Sequence, residues 1–311
     1  MPQQTAQYFD LSHFSMLEIS GKDAFDFLHG QFICDLNDLE NHGWLLSGWC
    51  LPNGKTICTF IIFSIDKSFF LILPSMLKDK ILKRLTMYVL RSDVSITDVS
   101  DNYALLGFSG KNIKEIIDPH GLENAFVKNK LCFTAGFSLL TLWDNTPRYI
   151  MISKIETITE IMNQITSTCI AGERTDWSLM DIEAGIPWIT NAISENFLPQ
   201  MLNIDQMHGM SLKKGCYPGQ EIIARLHYRG QLKKRMYLGY GDSMITPGPG
   251  DRLENKDTKT NIGEIIDAER DISNGFKFLA VVDTEYASNS NLVLSEMPDA
   301  SVNLQEITYP V

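Results

Sequence analysis

Apolar residues along the first 230 positions recur with two different periods. Short apolar runs at 16–19, 44–49, 56–64 and 69–73, bounded by glycine, proline or charged residues, predict β-strands. Apolar residues spaced three or four apart predict a helix over 21–32. They predict a second helix with Ser75 as its N-cap and one apolar face made of Leu77, Ile81, Leu85 and Val89. The mixture predicts an α+β fold for residues 1–230.

Strands and helices continue to be predicted up to about residue 230, and the pattern then changes. Residues 148–153 predict a strand, and 157–168 and 177–184 predict helices, the second of which ends at Gly185 and Pro187. After Gly230 the helical period disappears. Short strands at 235–240, 261–267, 276–283 and 292–295 then alternate with Gly, Pro and Asn turns. We therefore predict two domains, residues 1–230 and a small C-terminal β-barrel over residues 231–311.

Composition narrows the class of protein. The chain has 311 residues, of which 44% are hydrophobic and 21% charged, as in ordinary globular proteins of about two domains. Its first seven residues are polar and uncharged, so they lack the features of a secretory signal. The most apolar stretch, 59–73, is interrupted by Asp66 and Lys67 and is too short to span a membrane as a helix. We expect a cytoplasmic protein that does not enter the membrane.

The cysteines do not predict a metal site. They lie far apart, without a CxxC motif or a histidine at ligand spacing, so neither zinc nor an iron–sulfur cluster has an evident set of ligands. In a cytosolic protein they are expected to be reduced thiols. The six are Cys34, Cys50, Cys58, Cys132, Cys169 and Cys216.

Charge is unevenly distributed along the chain. The net charge of −11 argues against binding nucleic acid over the whole surface, because phosphate contacts require concentrated Lys and Arg. Residues 213–235 are the exception, since they hold seven basic residues and one acidic residue and carry a local charge of +6. A solvated basic face and an anion-binding site both explain this basic segment, and the sequence leaves both open.

Cys216 lies in the same segment, between Gly215 and the turn-forming pair Pro218 and Gly219. Beyond that turn, apolar residues at helical spacing predict a helix. Free backbone N–H groups at the start of a helix, together with Lys213 and Lys214, would favour a thiolate. Cys216 is therefore the candidate reactive thiol. The alternative is a small buried residue that fills a turn.

The residues around Cys216 resemble a known signature. Lys-Gly-Cys-Tyr-x-Gly-Gln-Glu at 214–221, followed by Ala224-Arg225 and Arg229-Gly230, resembles the motif of the YgfZ family, folate-binding relatives of the glycine-cleavage T-protein. Blocks at 19–35 and 177–203 fall in the family's order. The resemblance implies an aminomethyltransferase (T-protein)-like ring of α/β subdomains followed by a β-barrel, with tetrahydrofolate in a central channel.

The resemblance also implies a set of folate-binding residues. Glu183 matches a carboxylate that would accept adjacent N–H groups of the pterin ring, and Trp177 and Phe14 match aromatic positions near folate. A helix-surface role for Glu183 and core packing for Trp177 remain open alternatives. The lysines and arginines of the basic segment 213–235 would attract the carboxylates of the glutamate tail of folate. The remaining candidates are Lys213, Lys214, Tyr217, Gln220, Arg225 and Arg229.

One departure from the aminomethyltransferases bears on activity. Gly54 is followed by Lys55 and then by uncharged residues, without the acidic pair that those enzymes carry. A carboxylate for general acid–base transfer is therefore lacking at this position, and we do not expect glycine cleavage. A threonine of the family also corresponds to Ile33.

The resemblance implies a function different from that of a classical enzyme. It implies a tetrahydrofolate-binding accessory protein that supports iron–sulfur enzymes and their assembly factors, and through them tRNA modification. One alternative is a folate-dependent one-carbon transferase. Another is a docking module with a vestigial folate pocket whose basic segment binds an acidic partner or RNA.

Overall fold

The computed structural model describes residues 6–110, 113, 116, 131–133, 136–143, 147–165, 168–271, 275–288 and 291–309. Its strands, numbered in chain order, are β1 (Gln7–Asp10), β2 (Phe14–Ser20), β3 (Trp44–Cys50), β4 (Thr56–Ile65), β5 (Ser68–Pro74), β6 (Ser95–Asp98), β7 (Tyr103–Ser109), β8 (Leu131–Phe133), β9 (Phe137–Leu142), β10 (Arg148–Lys154), β11 (Ile170–Ala171), β12 (Lys234–Gly241), β13 (Arg252–Asn255), β14 (Asn261–Asp271), β15 (Gly275–Asp283), β16 (Leu292–Leu294) and β17 (Met297–Gln305).

Helices connect or flank these strands. The described α-helices are α1 (Ala24–Gln31), α2 (Leu39–His42), α3 (Lys78–Thr86), α4 (Ile155–Ile165), α5 (Arg174–Glu183) and α6 (Gln220–Arg229). None of them is both long enough and apolar enough to cross a membrane. Short 3-10 turns precede α2 and α3.

Two sheets form the first part of the molecule. One has the order β3-β4-β5-β2-β6, and the other has the order β11-β1-β7-β10-β9-β8. Every residue of β3, and all but the last two of β4, is buried, which explains why these strands appear in the sequence as continuous apolar runs. The predicted α+β fold is confirmed.

The C-terminal strands close into a barrel in the order β12-β15-β14-β13-β16-β17, which confirms the predicted β-barrel. Its interior is filled by apolar side chains that include Leu253, Phe276 and Phe278. All six strands lie between Lys234 and Gln305, and the chain then returns to the first part, where the Tyr309 hydroxyl donates to the Gly185 carbonyl. The division into domains 1–230 and 231–311 stays a prediction.

Two predicted helices differ in detail. Ser75 is not the N-cap of α3: it begins a 3-10 turn, and its hydroxyl bonds to that of Ser15. The helix ends at Thr86, so Val89 lies beyond it. The helix predicted over 177–184 begins earlier, at Arg174, because Glu173 and Asp176 form a capping box. The helix predicted over 157–168 spans Ile155–Ile165, and residues 166 and 167 lie outside the described ones.

Candidate functional site

A cavity of about 360 Å³ opens where β2 begins and β5 ends. It is large enough for a small organic ligand. Its walls come from the start of β2, the end of β5 with the turn that follows it, α5 with the segment after it, the turn before β13, and the barrel strand β14. Its lining includes His13, Phe14, Pro74, Met76, Arg174, Thr175, Ser178, Asp181, Trp188, Thr190, Pro249, Asp267 and Glu269.

An aromatic pair forms one wall of this cavity. The rings of Phe14 and Trp188 lie 4.6 Å apart between centroids and are tilted by 56°. Trp188 donates its Nε1 hydrogen to Asp181 Oδ2 at 2.9 Å, and Asp181 Oδ1 accepts from Arg148 at 2.7 Å. Arg148 and Asp181 are both buried, so this ion pair fixes the indole that supports the aromatic wall.

Two polar atoms of the cavity lining have no partner in the described part of the chain. His13 Nδ1 and Thr190 Oγ1 are buried and make no hydrogen bond to any part of the chain that the structure describes. Burial and the neighbouring Arg174 cation lower the pKa of His13 to about 4, so its imidazole is neutral at physiological pH. Buried polar groups in proteins normally have partners, so these two atoms are available to a bound molecule.

The barrel contributes acidic groups to the cavity. Asp267 and Glu269 reach it from β14. Burial, together with the nearby Asp181 and Glu269 charges, raises the pKa of the Asp267 carboxyl to about 7. This carboxyl can therefore change its charge near physiological pH, and it can accept or donate a hydrogen bond according to its protonation state.

The segment around Cys216 lies on the surface at the same end of the five-stranded sheet. Cys216 is exposed, four residues before the first residue of α6. The turn at Gly219 requires glycine, because its φ is +85° and a Cβ there would lie 2.6 Å from the Leu51 carbonyl oxygen. The loop is thereby packed against the turn between β3 and β4 and presents the thiol to solvent.

Lys214 anchors this loop to the C-terminal end of α1. Its ammonium donates to the carbonyls of Phe32 and Cys34, both at 2.7 Å, and to that of His29. Burial lowers the pKa of Lys214 to about 8. Carbonyls at a helix C-terminus lack intrahelical partners, so the lysine satisfies groups that would otherwise remain unpaired.

Tyr217 and Gln220 hold the same loop. The buried Tyr217 donates its hydroxyl hydrogen to the Ser211 carbonyl at 3.0 Å, and the Lys214 ammonium lies 5.1 Å from the centre of its ring. Gln220 Nε2 contacts the Lys214 carbonyl at 3.4 Å. The polar residues of the motif thus shape the loop on which Cys216 is displayed.

Comparison with known proteins gives the family. The GCVT N-terminal domain family matches residues 2–135. A "tRNA-modifying protein YgfZ" from Buchnera aphidicola subsp. Schizaphis graminum is 30% identical over 300 residues, which cover 96% of this chain and 88% of the relative. The chain belongs to the YgfZ family.

A second "tRNA-modifying protein YgfZ", from Pectobacterium atrosepticum, is 27% identical over an aligned region that covers 99% of this chain and 93% of the relative. Among solved structures, the glycine cleavage system aminomethyltransferase T from Bartonella henselae matches with a TM-score of 0.81 at 13% identity. That match covers 98% of this chain and 86% of the enzyme. This YgfZ-family chain therefore has the aminomethyltransferase fold that its sequence predicted.

The cavity brings together few of the residues predicted for this family member. Phe14 lines it. Trp177 does not: it is 1% exposed, and it packs in the core beside Phe9 and beneath the Arg148 guanidinium. A Cβ on Gly107 would lie 2.5 Å from its ring, so the indole fills a space closed by backbone. Trp177 is thus packed in the core, and its predicted contact with folate stays a prediction.

Glu183 also lies away from the cavity. Its side chain is 42% exposed and pairs with the Lys277 ammonium. Residues two apart on a helix differ by about 200° in direction, so Glu183 points away when Asp181 faces the cavity. Glu183 therefore lies on the helix surface, outside the lining of this cavity, and its predicted contact with a pterin ring stays a prediction.

The cations predicted to hold a folate tail are not at the cavity either. Lys214 is committed to three carbonyls, and Lys213, Arg225 and Arg229 are exposed residues outside the cavity lining. Cys216 is exposed, which excludes the buried-residue alternative for it. Within the described residues, no cluster of three or more His, Cys, Asp or Glu could hold a metal ion.

Sequence reasoning missed several cavity residues: His13, Arg174, Asp181, Trp188, Thr190 and Asp267. Two local signals were available. Arg174, Ser178 and Asp181 recur at helical spacing as a polar stripe on α5, and Asp267 interrupts an apolar strand after Ile265 and Ile266. The presence of His13 and Thr190 in the same cavity had no local signal, because these residues are distant in sequence.

Proposed function

We propose that this protein binds a tetrahydrofolate-type cofactor in the cavity and acts as an accessory protein in tRNA modification. The observation that carries the first part is the cavity itself. In an aminomethyltransferase fold, it combines an aromatic wall with buried polar atoms that have no partner among the described residues. Phe14 and Trp188 offer an apolar face to a flat heterocycle, and His13 and Thr190 offer hydrogen-bonding atoms to its edge.

The tail of folate is anionic, and one cation lies at the cavity. Arg174 is exposed at the edge of the cavity, where its guanidinium can pair with a carboxylate in bidentate geometry. This residue replaces the cations of the 213–235 segment as our candidate for the tail. A bound folate would supply a carrier for one-carbon units, and the protein would supply orientation and exclusion of water.

The second part of the proposal concerns the cellular role. YgfZ relatives are named tRNA-modifying proteins, and we propose that this chain supports iron–sulfur enzymes that modify tRNA. The exposed Cys216 is the candidate group for contact or thiol exchange with such a partner. In cells that lack the gene, wild-type protein should restore thiolated tRNA, whereas Cys216→Ala should fold normally and fail to restore it. Full restoration by Cys216→Ala would remove the thiol from the proposal.

Cofactor binding is tested by calorimetric titration of the full-length protein with tetrahydrofolate under anaerobic conditions. Phe14→Leu keeps the apolar volume but removes the ring, so we expect binding to weaken about 3- to 10-fold. Phe25→Leu, at an exposed phenylalanine on α1, is the matched control and should bind as wild type. Glu183→Ala should also bind as wild type, in contrast to the expectation from sequence. Absence of saturable binding by the wild-type protein would refute the folate proposal.

A further inference from the structure

Strand β14 contains an irregularity beside the cavity. Its register with β15 shifts between Ile265 and Asp267, so Ile266 is an extra residue in the strand. Ile265 and Ala268 pack with the interior of the barrel, whereas Ile266 packs with the core of the first part. In a regular strand Asp267 would follow Ile265 into the barrel interior. The β-bulge instead turns the Asp267 side chain outward to the cavity.

The surroundings of Asp267 are unfavourable for a carboxylate. Ala268 donates its backbone N–H to Asp267 Oδ1 at 2.9 Å. Burial opposes ionisation most, and the neighbouring acids Asp181, on α5, and Glu269, on β14, add to it, whereas the Ala268 N–H and Arg174 favour the ionised form. Strained or destabilising arrangements of this kind cluster at ligand sites, because a bound molecule supplies the compensating contacts.

We propose that Asp267, supplied by the barrel, is the carboxylate that binds the aminopyrimidinone edge of the cofactor ring. This inference rests on the proposed function and deepens it, since it assigns the recognition of the ring to a residue of the C-terminal barrel. Adjacent N–H donors on such an edge match the two oxygens of an ionised carboxylate. The neighbouring aromatic wall would hold the plane of the ring while Asp267 fixes its rotation.

Binding through Asp267 should depend on pH. The pKa of Asp267 is raised to about 7, so the free carboxyl is mostly protonated at pH 6 and mostly ionised at pH 8. A ligand that donates two hydrogens requires the ionised form, so binding should be about 10-fold tighter at pH 8 than at pH 6. The other charged or titratable groups that face the site are Arg174, Asp181, Glu269 and His13, and His13 is neutral in this range because burial and Arg174 lower its pKa to about 4.

The experiment is an anaerobic calorimetric titration of the full-length protein with tetrahydrofolate at pH 6 and pH 8. Asp267→Asn preserves shape but offers a donor in place of one acceptor. It should bind about 10- to 100-fold more weakly at pH 8 and lose the pH dependence. Glu264→Gln is the matched control on the same strand: it keeps an acceptor for Asn196, lies outside the cavity, and should behave as wild type.

The outcomes separate this inference from the function on which it rests. If wild-type binding is saturable but equally tight at both pH values, or if Asp267→Asn binds as wild type, the assignment of Asp267 is overturned and folate binding stands. If the wild-type protein does not bind at either pH, the proposed function itself fails. Circular dichroism and thermal unfolding of Asp267→Asn establish that any weakened binding occurs in a folded protein.

Discussion

Replacing Arg148 with methionine removes one partner of a buried ion pair at the cavity wall. The Arg148 and Asp181 side chains are 0% and 4% exposed and lie 2.7 Å apart between N and O atoms. The substitution leaves the Asp181 carboxylate buried without that cation, and breaking such a pair costs about 3–5 kcal/mol. An unfolding entropy of about 2.1 cal/mol/K per residue over 311 residues converts this into a Tm lowered by about 5–8 °C.

Urea unfolding followed by tryptophan fluorescence measures this loss directly. Arg84→Met is the matched control, because Arg84 pairs with Glu195 at 2.9 Å but the two side chains are 29% and 35% exposed. Partly exposed pairs contribute about 0–1 kcal/mol, so this variant should lose much less stability. The double variant Arg148→Met/Asp181→Leu should recover much of the loss, since it removes both buried charges. Equal losses for Arg148→Met and Arg84→Met would refute the buried ion pair as we describe it.

Three further predictions test other parts of the structure. Asp267→Asn should stabilise the ligand-free protein at pH 8 by at most about 4 kcal/mol. Folding raises the pKa of Asp267 from 3.8 to about 7, so the wild-type protein loses stability as the pH rises from about 4 to about 7. The stability that Asp267→Asn gains over wild type, measured by urea unfolding, should therefore vanish near pH 4. Lys214→Met should cost about 2 kcal/mol, because three carbonyls lose their donor, and should speed amide hydrogen exchange over 211–219. Gly107→Ala should cost about 1–3 kcal/mol in urea unfolding, because the added Cβ meets the Trp177 ring; an unchanged stability would contradict the packing of that indole.

The fold could be predicted because its signals are local. Strands β3, β4 and β5 are buried along nearly their whole length and appear as apolar runs, and the barrel strands β12, β14 and β15 lie between turn residues. Edge strands such as β6 and β11 are short and partly exposed, so their apolar pattern is too weak to recognise. The capping box that begins α5 was present in the sequence, but its acidic N-cap is a less common form of the motif.

The residues of the cavity were harder to predict than the fold, because the type of a residue does not determine which way its side chain points. Trp177 and Glu183 have chemistry suited to a pterin ring, yet packing turns the first into the core and leaves the second on the surface. The same helix presents Asp181 instead. For Lys214, its position near Cys216 suggested an anion site, but the tertiary fold brings three carbonyls at and just beyond the end of α1 to its ammonium. Hydrogen bonding to these carbonyls determines its role.

The β-bulge in β14 places a residue of the barrel in a cavity that is otherwise lined mainly by the first part of the chain. A barrel that only stabilised the fold would need no carboxyl turned out from β14 toward Phe14 and Trp188. Ile266, the extra residue, packs in the core of the first part, so the distortion that turns Asp267 toward the cavity also attaches the barrel to that core. The walls of the cavity therefore depend on both parts of the chain, which favours regarding the barrel as a component of the binding site.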